Sequence, residues 1–217
     1  MSKIENFQSN LWEDKMKKKI AICLILLLLL YPIFAETFSE MYSIENRTTF
    51  STKGHPKAKG INLTLKYPSF WESLEGDRPN IVQKFRYYDD EVLVTSMILI
   101  LEPFDTQESD KAIANDLFQK DNLESLLPDM YSFIDGDLTT YDNLKGCWIT
   151  AAFEQSMAGE VVSGYTLFQV FVYKRRLIMI NSSITTGDYE RDIECFTKFL
   201  PEFQIIGASI ILPDQWK

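Results

Sequence analysis

Four segments between Tyr131 and Ile184 decide the fold: YSFIDGDLTT (131–140), LKGCWITAAFE (144–154), VVSGYTLFQVFVY (161–173) and LIMINSSI (177–184). Each is rich in β-branched and aromatic residues, and only a few residues separate one from the next, which is the pattern of consecutive strands. Links this short join antiparallel neighbours, because a parallel pair needs a crossover of a dozen residues or more. The third and fourth segments are joined tightly across Lys174-Arg175-Arg176. Apolar and polar residues alternate imperfectly along them, as expected of a sheet covered by helices.

Upstream, Ile61 to Tyr67 alternates apolar and polar residues, the signature of a half-buried strand, and Pro68 stops it before Trp71 in a turn. A loop at Gly76-Asp77-Arg78-Pro79-Asn80 leads to two strands, Ile81 to Tyr87 and Val92 to Leu101, around the acidic turn Asp89-Asp90-Glu91. The continuous apolar run Met97 to Leu101 predicts a strand covered on both faces. A helix is expected from Ser109 to Lys120, with Ile113 and Leu117 on one face, and a further turn from Leu123 to Leu127. A second helix is expected from Asp188 to Leu200, with Tyr189, Ile193, Phe196 and Leu200 on its apolar face, and helical spacing continues past Pro201 to Ile210. Strands, helix, strands, helix is the order of an α+β protein: a mainly antiparallel β-sheet flanked by helices.

Two short motifs carry a resemblance. Leu63-Thr64-Leu65-Lys66-Tyr67-Pro68-Ser69-Phe70-Trp71 resembles the strand, Tyr-Pro turn and Trp that open PsbP-like domains, and Phe203-x-x-Ile206-x-x-Ser209-Ile210 is similar to their closing helix. PsbP is an extrinsic subunit of photosystem II, and a nuclear Ran-binding import factor shares its fold. The resemblance implies an α/β/α sandwich over roughly residues 60–211. No residue matches one that would carry over photosystem, manganese, calcium or Ran binding.

The N-terminal part reads as an address. Lys17, Lys18 and Lys19 form a basic start, Ile20 to Leu30 is an unbroken apolar run, Pro32 ends it, and Ala35 offers a small residue at a cleavage position. Residues 16–35 are therefore expected to be a signal peptide directing export to the periplasm or outside the cell. The alternative is a membrane anchor through residues 20–35, a stretch shorter than the ~20 apolar residues of a typical span. Cys23 follows Ile22 inside the apolar run, which disfavours a lipoprotein. Residues 1–15 precede the basic start and read either as a mistaken upstream extension, with Met16 the true beginning, or as a cytoplasmic tail favouring the anchor. Residues 36–60 are expected as an extended N-terminal arm, and 61–217 as one globular domain.

The chain has 22 basic and 31 acidic residues, of which five and three precede position 36, so the remainder carries −11. Such a surface repels nucleic acid at long range, and no basic stripe opposes that. Cys147 and Cys195 could form a disulfide in an oxidising compartment or remain two buried thiols.

Histidine is scarce. His55, the one histidine, sits in Gly54-His55-Pro56-Lys57-Ala58-Lys59-Gly60, far in sequence from either cysteine, so nucleophilic catalysis has no assembled set. With Lys53, the residues His55, Lys57 and Lys59 form a cationic segment that is either a docking loop for a carboxylate or phosphate or a solvated linker. Asp135-Gly136-Asp137 with Asp142 and Asn143 is the richest acidic cluster, but it fails the EF-hand pattern. No metal or cofactor is expected. Trp71, Tyr87, Tyr88, Trp148 and Tyr165 could line a groove or fill the core. The expected function is that of an exported, non-enzymatic accessory domain binding a protein partner. The alternatives are a small-ligand or metal carrier using a groove on the sheet, and an uncharacterised hydrolase.

Overall fold

A computed structural model describes residues 46–157, 160–186 and 188–216. The expected export signal at 16–35, the segment 1–15 and the first part of the expected arm, 36–45, lie outside the described residues. Among the described residues no helix is long and apolar enough to cross a membrane.

The strands are β1 (Arg47–Ser51), β2 (Thr64–Pro68), β3 (Glu72–Glu75), β4 (Ile81–Asp89), β5 (Val92–Pro103), β6 (Tyr131–Tyr141), β7 (Leu144–Met157), β8 (Glu160–Tyr173) and β9 (Arg176–Thr185). Helix α1 spans Asp110–Leu117 and α2 spans Tyr189–Ala208. Seven strands form one antiparallel sheet in the order β3-β4-β5-β9-β8-β7-β6, and β1 pairs with β2 in a separate ribbon. Hairpins make most neighbours. The β5–β9 pair, registered from Leu93↔Thr185 to Pro103↔Arg176, joins the two runs of strands that the sequence separates by α1. The α+β class and the helix-flanked antiparallel sheet are as expected.

Local chemistry sets the turns. Lys174 and Arg175 have φ of 51° and 54°, and Asp142 and Asn143 have 45° and 68°. Two consecutive left-handed residues are what a two-residue hairpin requires to match strand twist. The Asp110 carboxylate accepts hydrogen bonds from the Lys174 and Arg175 amides at 2.7 Å each, tying α1 to the β8–β9 turn. Ser109 caps α1, its Oγ accepting from Ala112 N at 3.2 Å.

The sheet has two covered faces. On one, Cys147, Ile149 and Ala151 of β7 and Phe168, Val170 and Val172 of β8 pack with Ile113 and Ala114 of α1 and with Phe118. The intervening residues of β8 face α2: Tyr165 lies 5.8 Å from Phe196, and a Cβ added to Gly207 would come within 1.9 Å of Gln169 Nε2. A side chain at position 207 would have to displace the end of Gln169. Pro201 does not end the helix, so the expected segment 188–200 and the apolar spacing beyond it form one continuous α2.

Three expectations need correction. Residues 47–60 are not an arm ahead of the domain. Arg47–Ser51 pairs with β2, and Thr52 is fully buried, donating to Ile61 O at 2.7 Å and accepting from Leu63 N at 2.9 Å. The run Met97 to Leu101 is covered on one face only: Ile98 and Ile100 are buried, whereas Met97, Leu99 and Leu101 stay half-exposed because α1 lies over β7 and β8 instead. Ile193, expected on the buried face of the second helix, is 48% exposed, because α2 is rotated so that Phe199, Phe203 and Ile206 face the core.

The β1–β2 ribbon is joined to α2 by a buried ion pair. Arg47 Nη2 donates to Glu202 Oε2 at 2.6 Å, while Arg47 Nε and Nη1 and Glu202 Oε1 are buried with no hydrogen-bond partner among the described residues. Breaking such a pair from one side leaves an uncompensated charge, at a cost of roughly 3–5 kcal/mol, whereas replacing both partners with apolar residues is often neutral. Arg47→Met should lower stability by roughly 3 kcal/mol, and Arg47→Met with Glu202→Leu should recover most of that loss. Urea unfolding of the two variants checks this; equal losses in both would contradict it.

Candidate binding groove

The cationic segment is folded into the body. Residues 56–58 form a 3-10 turn whose N-cap is His55, with Nδ1 accepting from Lys57 N at 3.2 Å. Lys57 pairs with Glu75 at 3.1 Å and donates to Gly76 O, and Lys59 pairs with Glu102. The Lys59 ammonium holds the Glu102 carboxyl below its ordinary range, with Arg176 adding to the effect. Lys53 is exposed and lines a shallow cavity with His55, Ile61 and Asp214. Two of the three lysines are thus spent on internal ion pairs that fasten the loop to β3 and β5.

The acidic residues separate by role. Asp142 Oδ2 accepts from Leu212 N at 2.7 Å, anchoring the C-terminal segment. Asp135 Oδ1 accepts from Gly136 N, and Asp137 Oδ1 from Leu138 N, both at 2.8 Å. Among the described residues no three His, Cys, Asp or Glu side chains gather in a metal-binding arrangement.

Cys147 and Cys195 are both free thiols. Cys147 belongs to the cluster beneath α1, while Cys195 lies on α2 across the sheet. A β-sheet stands between them, so the disulfide admitted by the sequence does not form. Burial pushes the Cys147 thiol up to about 12, far from a reactive thiolate.

The aromatics divide between core and surface. Trp71 is buried, 6.4 Å from Phe203, and Tyr87 lies 6.4 Å from Phe199; Tyr88 is 55% exposed. Trp148 and Tyr165 instead form part of the floor of an open groove between α2 and the β6–β7 edge. Its α2 wall carries Ile193, Phe196 and Leu200, and its outer rim carries Ile134 and Asp135. The groove encloses about 410 Å³ and its lining is mostly apolar.

A β-bulge builds the rim. Phe133 pairs with Ala151 and Asp135 with Thr150, so Ile134 is the extra residue of β6. Thr150 Oγ1 donates to Asp135 O at 3.2 Å and fixes the bulge. Phe133 consequently packs against the α1-side core, while Ile134 and Asp135 are both delivered to the groove. Ile134 is 51% exposed. Helical spacing groups Ile193 with Phe196 and Leu200 and says nothing of Ile134. The broken alternation at Phe133-Ile134 was the available signal for the bulge.

A second apolar cavity lies under α1, lined in part by Phe104, Phe118, Phe168 and Met179. Its volume of about 100 Å³ is well below the roughly 300–1,000 Å³ of ordinary ligand pockets.

No family model matches this chain, and no curated protein matches it. Solved structures do. Cyanobacterial PsbP (CyanoP) from Synechocystis is 15% identical over 78% of this chain and 94% of its own, with a TM-score of 0.43. The Ran-binding protein Mog1p of Saccharomyces cerevisiae is 11% identical over 79% of this chain and 97% of its own, with a TM-score of 0.44. LpqN of Mycobacterium tuberculosis, described as involved in cell envelope biogenesis, is 15% identical over 76% and 90%, with a TM-score of 0.39. All three likenesses lie at 15% identity or less.

Two measurements test the local chemistry. Under native, non-reducing conditions a thiol reagent should label the half-buried Cys195 and leave Cys147 untouched until the chain unfolds; recovery of a Cys147–Cys195 cross-link by peptide mass spectrometry would contradict the placement. Burial raises the Glu202 carboxyl above its ordinary 4.5, against the opposing pull of Arg47. A carboxyl whose pKa is higher in the folded state contributes stability below about 4.5 that is lost as pH rises through its raised value. The stability of Glu202→Gln should therefore fall less than that of the unmodified protein between about pH 4 and about pH 7, whatever the constant offset between them, in urea titrations at each pH.

Proposed function

We propose that this chain is an exported accessory domain that acts by binding a protein partner and does no covalent chemistry. The observation that carries the reading is the groove between α2 and the β6–β7 edge. There, the large apolar side chains Ile134 and Ile193 are left 51% and 48% exposed beside a strand with no outer neighbour among the described residues. A soluble domain has little reason to hold two isoleucines over an open apolar floor unless something covers them. The apparent export signal at residues 16–35 directs this reading to the periplasm or outside the cell.

The other readings have weaker support. His55 is occupied as a turn cap, and the Cys147 thiol is buried on the α1 side of the sheet, so the two cannot cooperate as base and nucleophile. The groove is partly open to solvent, which suits a chain laid across it better than the near-complete enclosure of a small ligand.

A photo-crosslinking residue at position 134, in living cells, tests the reading, with position 88 as an exposed control. Tyr88 lies on β4, near the other end of the sheet. Position 134 should give a reproducible protein adduct of defined mass that position 88 does not. The absence of adducts at 134 in every cell fraction would overturn the proposal.

A further inference from the structure

The rim of the groove says more about what would fill it, granted the protein-binding reading above. Among the described residues β6 is an edge strand of eleven residues, paired only with β7. Such an edge offers a row of backbone groups to any passing strand, and proteins normally blunt it. Here the blunting is specific. In the β6–β7 hairpin the two-residue turn Asp142-Asn143 makes Tyr141 and Leu144 partners, and alternate residues counting back from Tyr141 then point their amides inward. Gly136 and Leu138 are among those that point outward. Those are the two amides covered by the carboxylates of Asp135 and Asp137, each at 2.8 Å.

The two covers are not equivalent. Asp137 also holds Lys120 at 3.2 Å, so its charge is already matched. Asp135 makes no ion pair among the described residues, is exposed, and adjoins Ile134 on the groove. No basic residue lines the groove. A second copy of this chain is a poor occupant. Self-pairing of β6 in registers centred on residues 135 to 137 sets aspartates opposite aspartates, and like charges directly opposite are destabilising.

We propose that the groove takes an extended segment of a partner protein in which basic and apolar residues alternate at every second position, added as a strand beside the Ile134–Gly136 end of β6. A lysine or arginine of that segment draws the Asp135 carboxylate to itself, and the Gly136 amide so released pairs with the incoming backbone. The apolar side chains on the inner side of the segment cover Ile134 and reach the floor between Trp148 and Ile193. Because the bulge turns Ile134 and Asp135 to one face, and every second residue of a strand shares a face, the apolar and basic residues that meet them stand two apart. The aspartate mask therefore selects for cationic strands and rejects neutral or acidic ones.

The test uses the purified full chain and fluorescence anisotropy with three ten-residue peptides: one with valine and lysine alternating at every second position and serine between them, the same with glutamate for lysine, and a block of lysines followed by a block of valines. The alternating lysine peptide should bind at least about tenfold more tightly than either of the others, which separates strand addition from attraction to an acidic surface. Asp135→Asn keeps an oxygen over the amide and removes the charge; it should weaken binding roughly two- to fivefold. Ile134→Ser and Ile193→Ser should each weaken it by about tenfold. Hydrogen exchange at Gly136 should slow on binding. Equal binding of the lysine block, no effect of Asp135→Asn, or unchanged exchange at Gly136 would each overturn the inference. If crosslinking at position 134 still captures a partner, only this inference falls; if it captures none, the protein-binding reading falls with it.

Discussion

The architecture follows from a mismatch of widths. Seven antiparallel strands spaced about 4.8 Å apart make a sheet roughly 29 Å across, while one helix with its side chains covers only about 10–12 Å. No single helix can close a face. On the α2 side the chain solves half of the problem with the β1–β2 ribbon, which sets Tyr67 and Phe50 against Phe85 of β4 at 4.3 Å and 5.5 Å. Helix α2 then covers the middle, over β8 and β9. What is left is the β6–β7 edge, and that remainder is the groove. On the opposite face the cover is offset the other way: α1 lies over β7 and β8, and the half-exposed apolar residues are on β5.

The position of α2 therefore decides where the open surface falls, and several independent contacts hold it. Trp71 packs on Phe203, Arg47 is paired with Glu202, Gly207 admits Gln169, and Lys66 N donates to Ser209 Oγ at 2.8 Å. At the other end of the helix, buried Asp192 accepts from Thr186 N at 2.7 Å and from Ser163 Oγ at 3.1 Å, tying the first turns of α2 to β8 and to the end of β9. Redundant fixation of this kind makes the groove wall rigid. A preformed groove spares an incoming chain the cost of ordering both sides.

Much of the fold was legible because it rests on local rules. The strands from Tyr131 to Ile184 declare themselves by composition and by short links, and Ile113 and Leu117 mark one face of α1. The two motifs that resembled PsbP-like domains turn out to touch: Trp71 from the first meets Phe203 from the second, and Lys66 meets Ser209. The misreadings share one physical cause. Periodicity shows which residues lie on one face of an element, but not what, if anything, lies opposite that face. Met97 and Leu99 look like core until the sheet is assembled and α1 is found elsewhere. Ile193 looks like core until α2 is seen to turn Phe199 and Phe203 inward. Residues 47–51 look like a polar arm because a short ribbon with few buried side chains carries little periodic signal.

From its amino acids alone, the chain determines an α+β class, hairpin connectivity, a net negative charge and a single histidine, since these depend on local propensity, link length and composition. Tertiary structure alone decides that Cys147 and Cys195 lie on opposite sides of a sheet, that Lys57 and Lys59 are spent on Glu75 and Glu102, and that Ile134 and Ile193 line the same groove. These are facts about which distant surfaces meet. No window of sequence contains both partners of such a meeting, so no local rule can express it.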